Sequence, residues 1–267
     1  MAPPKPTCVL AIALLLVASV NCTDFVRFTY QGSEGPQNWA KLSPGYSACS
    51  NGKSQSPIDI KVDGVVQDDT LTPLTRNYKS ANATLVNHGF SIGVQFESES
   101  GTLDVDGKKY ELKQFHFHTP SDHRVDGKQF AAELHLVHMA QDGTLAVVAI
   151  LFKEGDSDSF VGKIQSKLGE LAKETCSGDQ VAHIPLGKLD NKLLRKNTRK
   201  YYRYVGSLTT PPCTENVSWS ILGKVREISK EQVAALKAPL WGECKDNSRP
   251  VQSLNGRKVE LYNELNQ

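Results

Sequence analysis

The chain has 267 residues, 39% of them hydrophobic and 22% charged, with 20 Gly, 13 Pro and a formal net charge of +2. This is globular composition, which excludes a disordered, collagenous or coiled-coil protein. The balanced charge gives no basis for a nucleic-acid partner, and the length fits one large domain or two small ones.

The chain opens as an address. Lys5 precedes an uninterrupted apolar stretch from Cys8 to Val20, followed by Asn21-Cys22-Thr23 and the polar Asp24. A basic start, an apolar core too short to cross a bilayer and a small-residue cut site describe a secretory signal peptide. Cleavage is expected after Cys22, giving a signal of residues 1–22 and a domain of residues 23–267. No second apolar run of membrane length follows, so the mature chain is expected to be soluble and secreted, with no membrane partner.

Strands dominate what comes next. Phe90, Ile92, Val94 and Phe96 alternate with small or polar residues, and Leu112–His118 and Phe130–His138 read the same way. Leu145–Phe152 is almost continuously apolar, which predicts a central strand buried on both faces. Tyr201–Leu208 and Glu215–Leu222 complete the set. Two helices interrupt it. Phe160, Ile164, Leu168 and Leu171 fall at helical spacing, and Ser229 with Gln232 forms a capping box ahead of Val233 and Leu236, limited by Pro239. The basic run Lys188–Arg203 reads as a solvated loop. With no repeat and no low-complexity linker, one mainly β domain is expected, with helices at its margins.

Cleavage after Cys22 leaves Cys49, Cys176, Cys213 and Cys244, an even number on an oxidising route, for which three pairings are possible. No CxxC is present, which argues against a thiolate zinc site. Asn82-Ala-Thr84 and Asn216-Val-Ser218 are glycosylation acceptors where exposed.

Five of the seven histidines fall between His116 and His138. Side chains alternate across a strand, so Gln114, His116 and His118 share one face while Phe115 and Phe117 share the other. On the second strand Glu133, His135 and Val137 share a face. Asp126-Gly127 between them is a turn signal, and antiparallel pairing brings His135 beside His116 and His118. Three neutral imidazoles and a water make the open tetrahedral site of catalytic Zn2+, and Gln114 and Glu133 are placed to accept the ligands' outward N–H groups. His138 is expected to be structural, and His123 and His183 show no partner. A zinc peptidase is disfavoured because HExxH is absent and His135 and His138 lie on a strand.

The chain resembles α-type carbonic anhydrases, the plant members above all. The resemblance rests on Tyr30, Gly35-Pro36 and Trp39; Gln55-Ser-Pro-Ile-Asp-Ile60; Gln114-Phe-His-Phe-His-Thr-Pro-Ser121; and Ala132-Glu-Leu-His-Leu-Val-His138. Ser207-Leu-Thr-Thr-Pro-Pro-Cys213 and Asn247-Ser-Arg-Pro250 complete it, so that it covers about Phe28 to Val259. It implies a central, mostly antiparallel twisted sheet of about ten strands with peripheral short helices. The implied activity is zinc-dependent, reversible hydration of carbon dioxide to bicarbonate and a proton.

The resemblance also assigns residues. His116, His118 and His135 correspond to the zinc ligands, and Thr209 to the hydroxyl that orients the attacking oxygen through an acidic partner. Thr210 lines the bicarbonate side, Val137, Val147, Leu208 and Trp219 the carbon dioxide wall, and Cys49–Cys213 the disulfide, which leaves Cys176 with Cys244. Two positions depart from the pattern. Ser121-Asp122-His123 carries Asp where the family has Glu, and Phe90 stands where fast members have the shuttle histidine. His88, two residues earlier, is a candidate shuttle by strand parity. A secreted storage or binding protein with weak or no activity is the alternative. Delivery to a plastid through the secretory route is a further destination, and oligomeric state is left open.

Overall fold

The computed structural model describes residues 7–10, 26–174, 180–195 and 199–266. Among the described residues one twisted mixed sheet has fourteen strands. Its main path runs Thr7–Leu10, Gln180–Leu189, Ala81–Asn87, Ile92–Phe96, Lys108–His118, Ala132–Met139, Leu145–Glu154, Glu215–Leu222, Lys200–Ser207, Glu260–Asn263 and Val66–Gln67. Most neighbours are antiparallel. Leu145–Glu154 runs parallel to Glu215–Leu222 and to Arg226–Ile228, as Glu260–Asn263 does to Val66–Gln67.

The apolar pattern explains the layering. Ala146–Phe152 is buried throughout, as its continuous apolar run predicts. Its even-numbered residues join Phe115, Phe117, Leu134 and Leu136 in one core, covered by the helix Ser159–Leu171 through Phe160, Ile164, Leu168 and Leu171. Its odd-numbered residues join Val137, Tyr204, Val217, Trp219 and Ile221 in a second core on the opposite face, the face that carries His116 and His135. Asp158 caps the covering helix by accepting from the amides of Phe160 and Val161 at 2.8 and 3.0 Å. The Ser229–Gln232 capping box starts Lys230–Lys237 as read from the sequence, and each such cap contributes about 1 kcal/mol.

Asp126 and Gly127 turn with φ of 48° and 79°, the left-handed pair of a tight hairpin. The turn closes a small sheet of Lys128–Gln129, Arg124–Val125 and Asp59–Ile60 rather than joining the two histidine strands directly.

The basic run is not a solvated loop. Lys188 lies in the strand Gln180–Leu189, Lys192 and Arg195 in a short 3-10 helix, and Lys200 and Arg203 in a central-sheet strand. Arg203 is buried, with its guanidinium 2.9 Å from Asp106 and 3.2 Å from Ser220 Oγ. Pairing across the sheet orders its two ends, Lys188–Leu189 and Lys200–Arg203, despite their charge. Within the expected signal peptide, Thr7–Leu10 forms an edge strand against Gln180–His183; the expected cleavage point after Cys22 lies outside the described residues. No helix among the described residues is long and apolar enough to cross a membrane.

Candidate metal centre

Register builds the centre. His135 sits directly opposite His116 in the antiparallel pair, and His118 follows two residues along on the same face. The ring centroids are 5.1 Å apart for His116–His118, 5.2 Å for His116–His135 and 4.6 Å for His118–His135. One nitrogen of each ring lies within 4.8 Å of the other two.

The hydrogen bonds behind the rings decide which nitrogens these are. His116 Nδ1 is 2.9 Å from Gln114 Oε1, His118 Nδ1 2.7 Å from the Asn247 carbonyl, and His135 Nε2 2.8 Å from Glu133 Oε1. Each partner is an oxygen acceptor, so each of those nitrogens carries the proton. The lone pairs of His116 Nε2, His118 Nε2 and His135 Nδ1 are left for a cation. Gln114 and Glu133 thus stand where the sequence placed them. Asn247 was not singled out for this role, because it acts through a backbone carbonyl that no residue type announces.

Electrostatics match a metal centre. Burial and the neighbouring His118 and His135 hold the His116 imidazolium well below its usual range, and burial lowers that of His135 against the pull of Glu133. Burial alone pushes the Glu133 carboxyl up, but the facing His123 and His135 outweigh it and hold it well below the usual range. His118 Nε2 is buried with no hydrogen-bond partner, a cost of about 1–3 kcal/mol that a bound cation removes. Three imidazole nitrogens facing one point, one of them buried without a partner, fit zinc.

The remaining candidates are distributed around this point. Val137 pairs with Val147, and Val147 with Trp219, so the three form a buried row on the His135 face. Leu208 packs against the same core, and the Trp219 ring lies 4.8 Å from that of His135. Thr209 is buried, and Thr210 closes the following turn by accepting from the Cys213 amide at 2.9 Å. The Cys49–Cys213 disulfide is formed and ties this turn to the N-terminal part of the domain. Cys244 is a buried free thiol; Cys176, its partner by arithmetic, lies outside the described residues.

Asp122 is buried. Its Oδ1 accepts from the Arg249 amide at 2.8 Å, while its Oδ2 has no hydrogen-bond partner and Thr209 makes no bond to it. Asp122 is one methylene shorter than the Glu of the family pattern, and its one hydrogen bond goes to Arg249 instead. Arg249 also reaches the Cys49 and Ser56 carbonyls and Gln55 Oε1, at 2.9, 2.7 and 2.8 Å, locking the Asp122 loop to the disulfide.

His88 lies in the turn between Ala81–Asn87 and Ile92–Phe96, before Gly89 with φ of 77°, so the strand parity expected from the sequence does not set its direction. His88 stacks on Phe90 with centroids 5.6 Å apart and fills space beside Gly93, the register partner of His116. Burial and then His183 push its pKa down to about 4, so it is a weak proton acceptor at neutral pH. His138 is structural as expected, bonded to Tyr78 Oη at 2.8 Å and the Ala146 carbonyl at 3.2 Å. His123, read as having no partner, is instead fully buried and bonded to Glu133 and Tyr204, both at 2.7 Å. Asn82 and Asn216 are both exposed.

Residues 34–263 match the family model of eukaryotic-type carbonic anhydrases. Alpha carbonic anhydrase 7 of Arabidopsis thaliana is 40% identical over 90% of this chain and 86% of its own length. Dioscorin dioA3 of Dioscorea japonica is 37% identical over 96% and 94%. A crystal structure of dioscorin complexed with ascorbate superposes with a TM-score of 0.86 at 37% identity, covering 90% of this chain and all of that one.

Proposed function

The chain belongs to the eukaryotic-type, or α-type, carbonic anhydrase family, and from that premise we propose that it catalyses the reversible hydration of carbon dioxide to bicarbonate and a proton. The observation that carries this reading is the convergence of three imidazole lone pairs, each fixed by an acceptor behind its ring. His116 Nε2, His118 Nε2 and His135 Nδ1 are the atoms that hold zinc in this reading. Zinc in such a site lowers the pKa of a bound water toward ~7, which supplies a nucleophile at neutral pH.

The chain's own residues do the rest. Gln114, Asn247 and Glu133 keep the ligands in one tautomer. Val137, Val147, Leu208 and Trp219 exclude water from one side and hold an apolar gas. Thr210 lines the bicarbonate side. Thr209 and Asp122 are the residues proposed to orient the attacking oxygen, with the unpartnered Asp122 Oδ2 the acceptor for the Thr209 hydroxyl. His88, the shuttle candidate of the sequence, has a pKa near 4, which makes each transfer to it unfavourable by about three powers of ten from a donor near 7 and weighs against it as the relay.

A secretory destination follows from the signal-like N-terminus together with the disulfide, which suits an oxidising compartment. Plastid delivery by the same route is compatible with it. Asn82 and Asn216 are the proposed glycan acceptors. One observation favours the second reading, a storage or binding protein with weak activity: the Asp122 carboxylate is not bonded to Thr209, in a chain similar to dioscorins.

Zinc content and carbon dioxide hydration at pH 8, with and without a sulfonamide, separate the two. One zinc per chain with sulfonamide-sensitive hydration supports the enzyme. One zinc without hydration supports the storage reading.

A further inference from the structure

The third ligand is the inner end of a longer buried chain. Glu133 Oε1 receives His135 Nε2 at 2.8 Å and His123 Nδ1 at 2.7 Å, while Oε2 accepts the His123 backbone amide at 2.8 Å. His123 Nε2 is 2.7 Å from Tyr204 Oη, which is 2.7 Å from Ser56 Oγ. The Ser207 amide donates to Ser56 Oγ at 3.0 Å, and the Ser56 amide donates back to Ser207 Oγ at 2.9 Å. Ser207 is the last residue of its strand, immediately before Leu208 and Thr209. The side-chain-bearing members His123, Glu133, His135, Tyr204, Ser56 and Ser207 are each 1% exposed or less.

With a neutral His123, donor logic leaves one arrangement of protons. A carboxylate only accepts, so both imidazoles donate to Glu133. His123 Nε2 is then a lone pair and takes the Tyr204 proton, and Tyr204 Oη accepts from Ser56. Every side-chain polar atom from Ser56 to Glu133 has a partner, and the side-chain bonds Ser56–Tyr204, Tyr204–His123 and His123–Glu133 all point toward Glu133.

We propose that Tyr204 and Ser56 are positioning residues for the metal centre. They hold His123 in the one tautomer that lets Glu133 orient His135, and they anchor that hold to the strand end leading into the Thr209 turn. The inference rests on the zinc reading above. Without the Tyr204 hydroxyl, His123 Nε2 becomes a buried acceptor with no donor. Moving its proton to Nε2 gives no relief, because Nδ1 then sets a lone pair against Glu133 Oε1. Either state loosens His135. Phe at position 204 keeps the ring, which is stacked on Trp219 with an interplanar angle of 11°.

The test is zinc release into excess chelator from the zinc-loaded protein, for wild type, Tyr204→Phe and Ser56→Ala, with melting of the metal-free forms alongside. Tyr204→Phe is expected to release zinc about tenfold faster, the lower end of the usual effect of groups behind a ligand. Ser56→Ala is expected to accelerate release at least about twofold but less than Tyr204→Phe, because Tyr204 still donates to His123. A purely structural role would lower the metal-free melting temperature and leave release unchanged. Zinc uptake by wild type with unaltered release in both variants overturns this inference alone. If Tyr204→Phe does not fold, Ser56→Ala decides by the same criterion. A wild-type chain that takes up no zinc overturns the zinc reading and this inference with it.

Discussion

Asp122 Oδ2 lies 3.5 Å from His118 Nε2, and neither atom has a hydrogen-bond partner. Two buried polar atoms left open beside each other mark the point where the chain departs from the family pattern. One belongs to a proposed zinc ligand, and the other to the carboxylate that stands, one methylene shorter, where the family has Glu.

The first prediction concerns that methylene. Asp122→Glu restores the reach to Thr209 and is expected to keep or raise the hydration rate, by up to about 100-fold if misplacement near 1 Å now limits it. Stopped-flow hydration in strong buffer checks this. A collapse in turnover would show a site built around Asp.

Proton release gives a second prediction. His88 carries a pKa of about 4 through burial, so His88→Ala is expected to leave turnover in weak buffer nearly unchanged. Phe90→His places an imidazole at the family's shuttle position and is expected to raise turnover in weak buffer about tenfold or more, with little effect in strong buffer. A large loss in His88→Ala would restore that residue as the relay.

Removal of the disulfide tests the scaffold. Cys49 and Cys213 are separated by 164 residues, and opening a link of that span costs about 2–5 kcal/mol. Cys49→Ser with Cys213→Ser is expected to lower the melting temperature, and to weaken hydration because the Thr209 turn and the Arg249–Asp122 contact lose a common anchor. Unchanged melting would contradict the bracing role.

Acid sensitivity has an identifiable source. Burial pushes the His138 pKa from 6.5 down to about 3, so the unfolded chain binds a proton there that the folded chain refuses. Stability from this group is full above about pH 6.5 and falls toward pH 3, by about 1.4 kcal/mol per pH unit. Urea unfolding of the metal-free protein against pH should show a slope of this sign, to which the buried His88, His116 and His135 also contribute. His138→Gln should reduce it by the share of one proton.

How far the sequence could be read follows from these same residues. His116, His118 and His135 were legible because strand period fixes which side chains share a face, and the buried strand Ala146–Phe152 because its apolar run is continuous. Gln180–Leu189 was missed because Pro185 and Gly187 interrupt its alternation, where the pairing register shifts. Arg203 read as surface because charge alone says nothing of a partner as distant in sequence as Asp106. Asn247 and the partners of His123 were hidden for a related reason. A backbone carbonyl and a hydrogen-bond chain through Tyr204 are products of the fold, not of local spacing.

Anomalous diffraction at the zinc edge from crystals of the zinc-loaded protein tests the central claim most directly. The account predicts a single strong peak about 2.0–2.1 Å from His116 Nε2, His118 Nε2 and His135 Nδ1. No peak there, or a peak between His123, Glu133 and His135 Nε2, would contradict it.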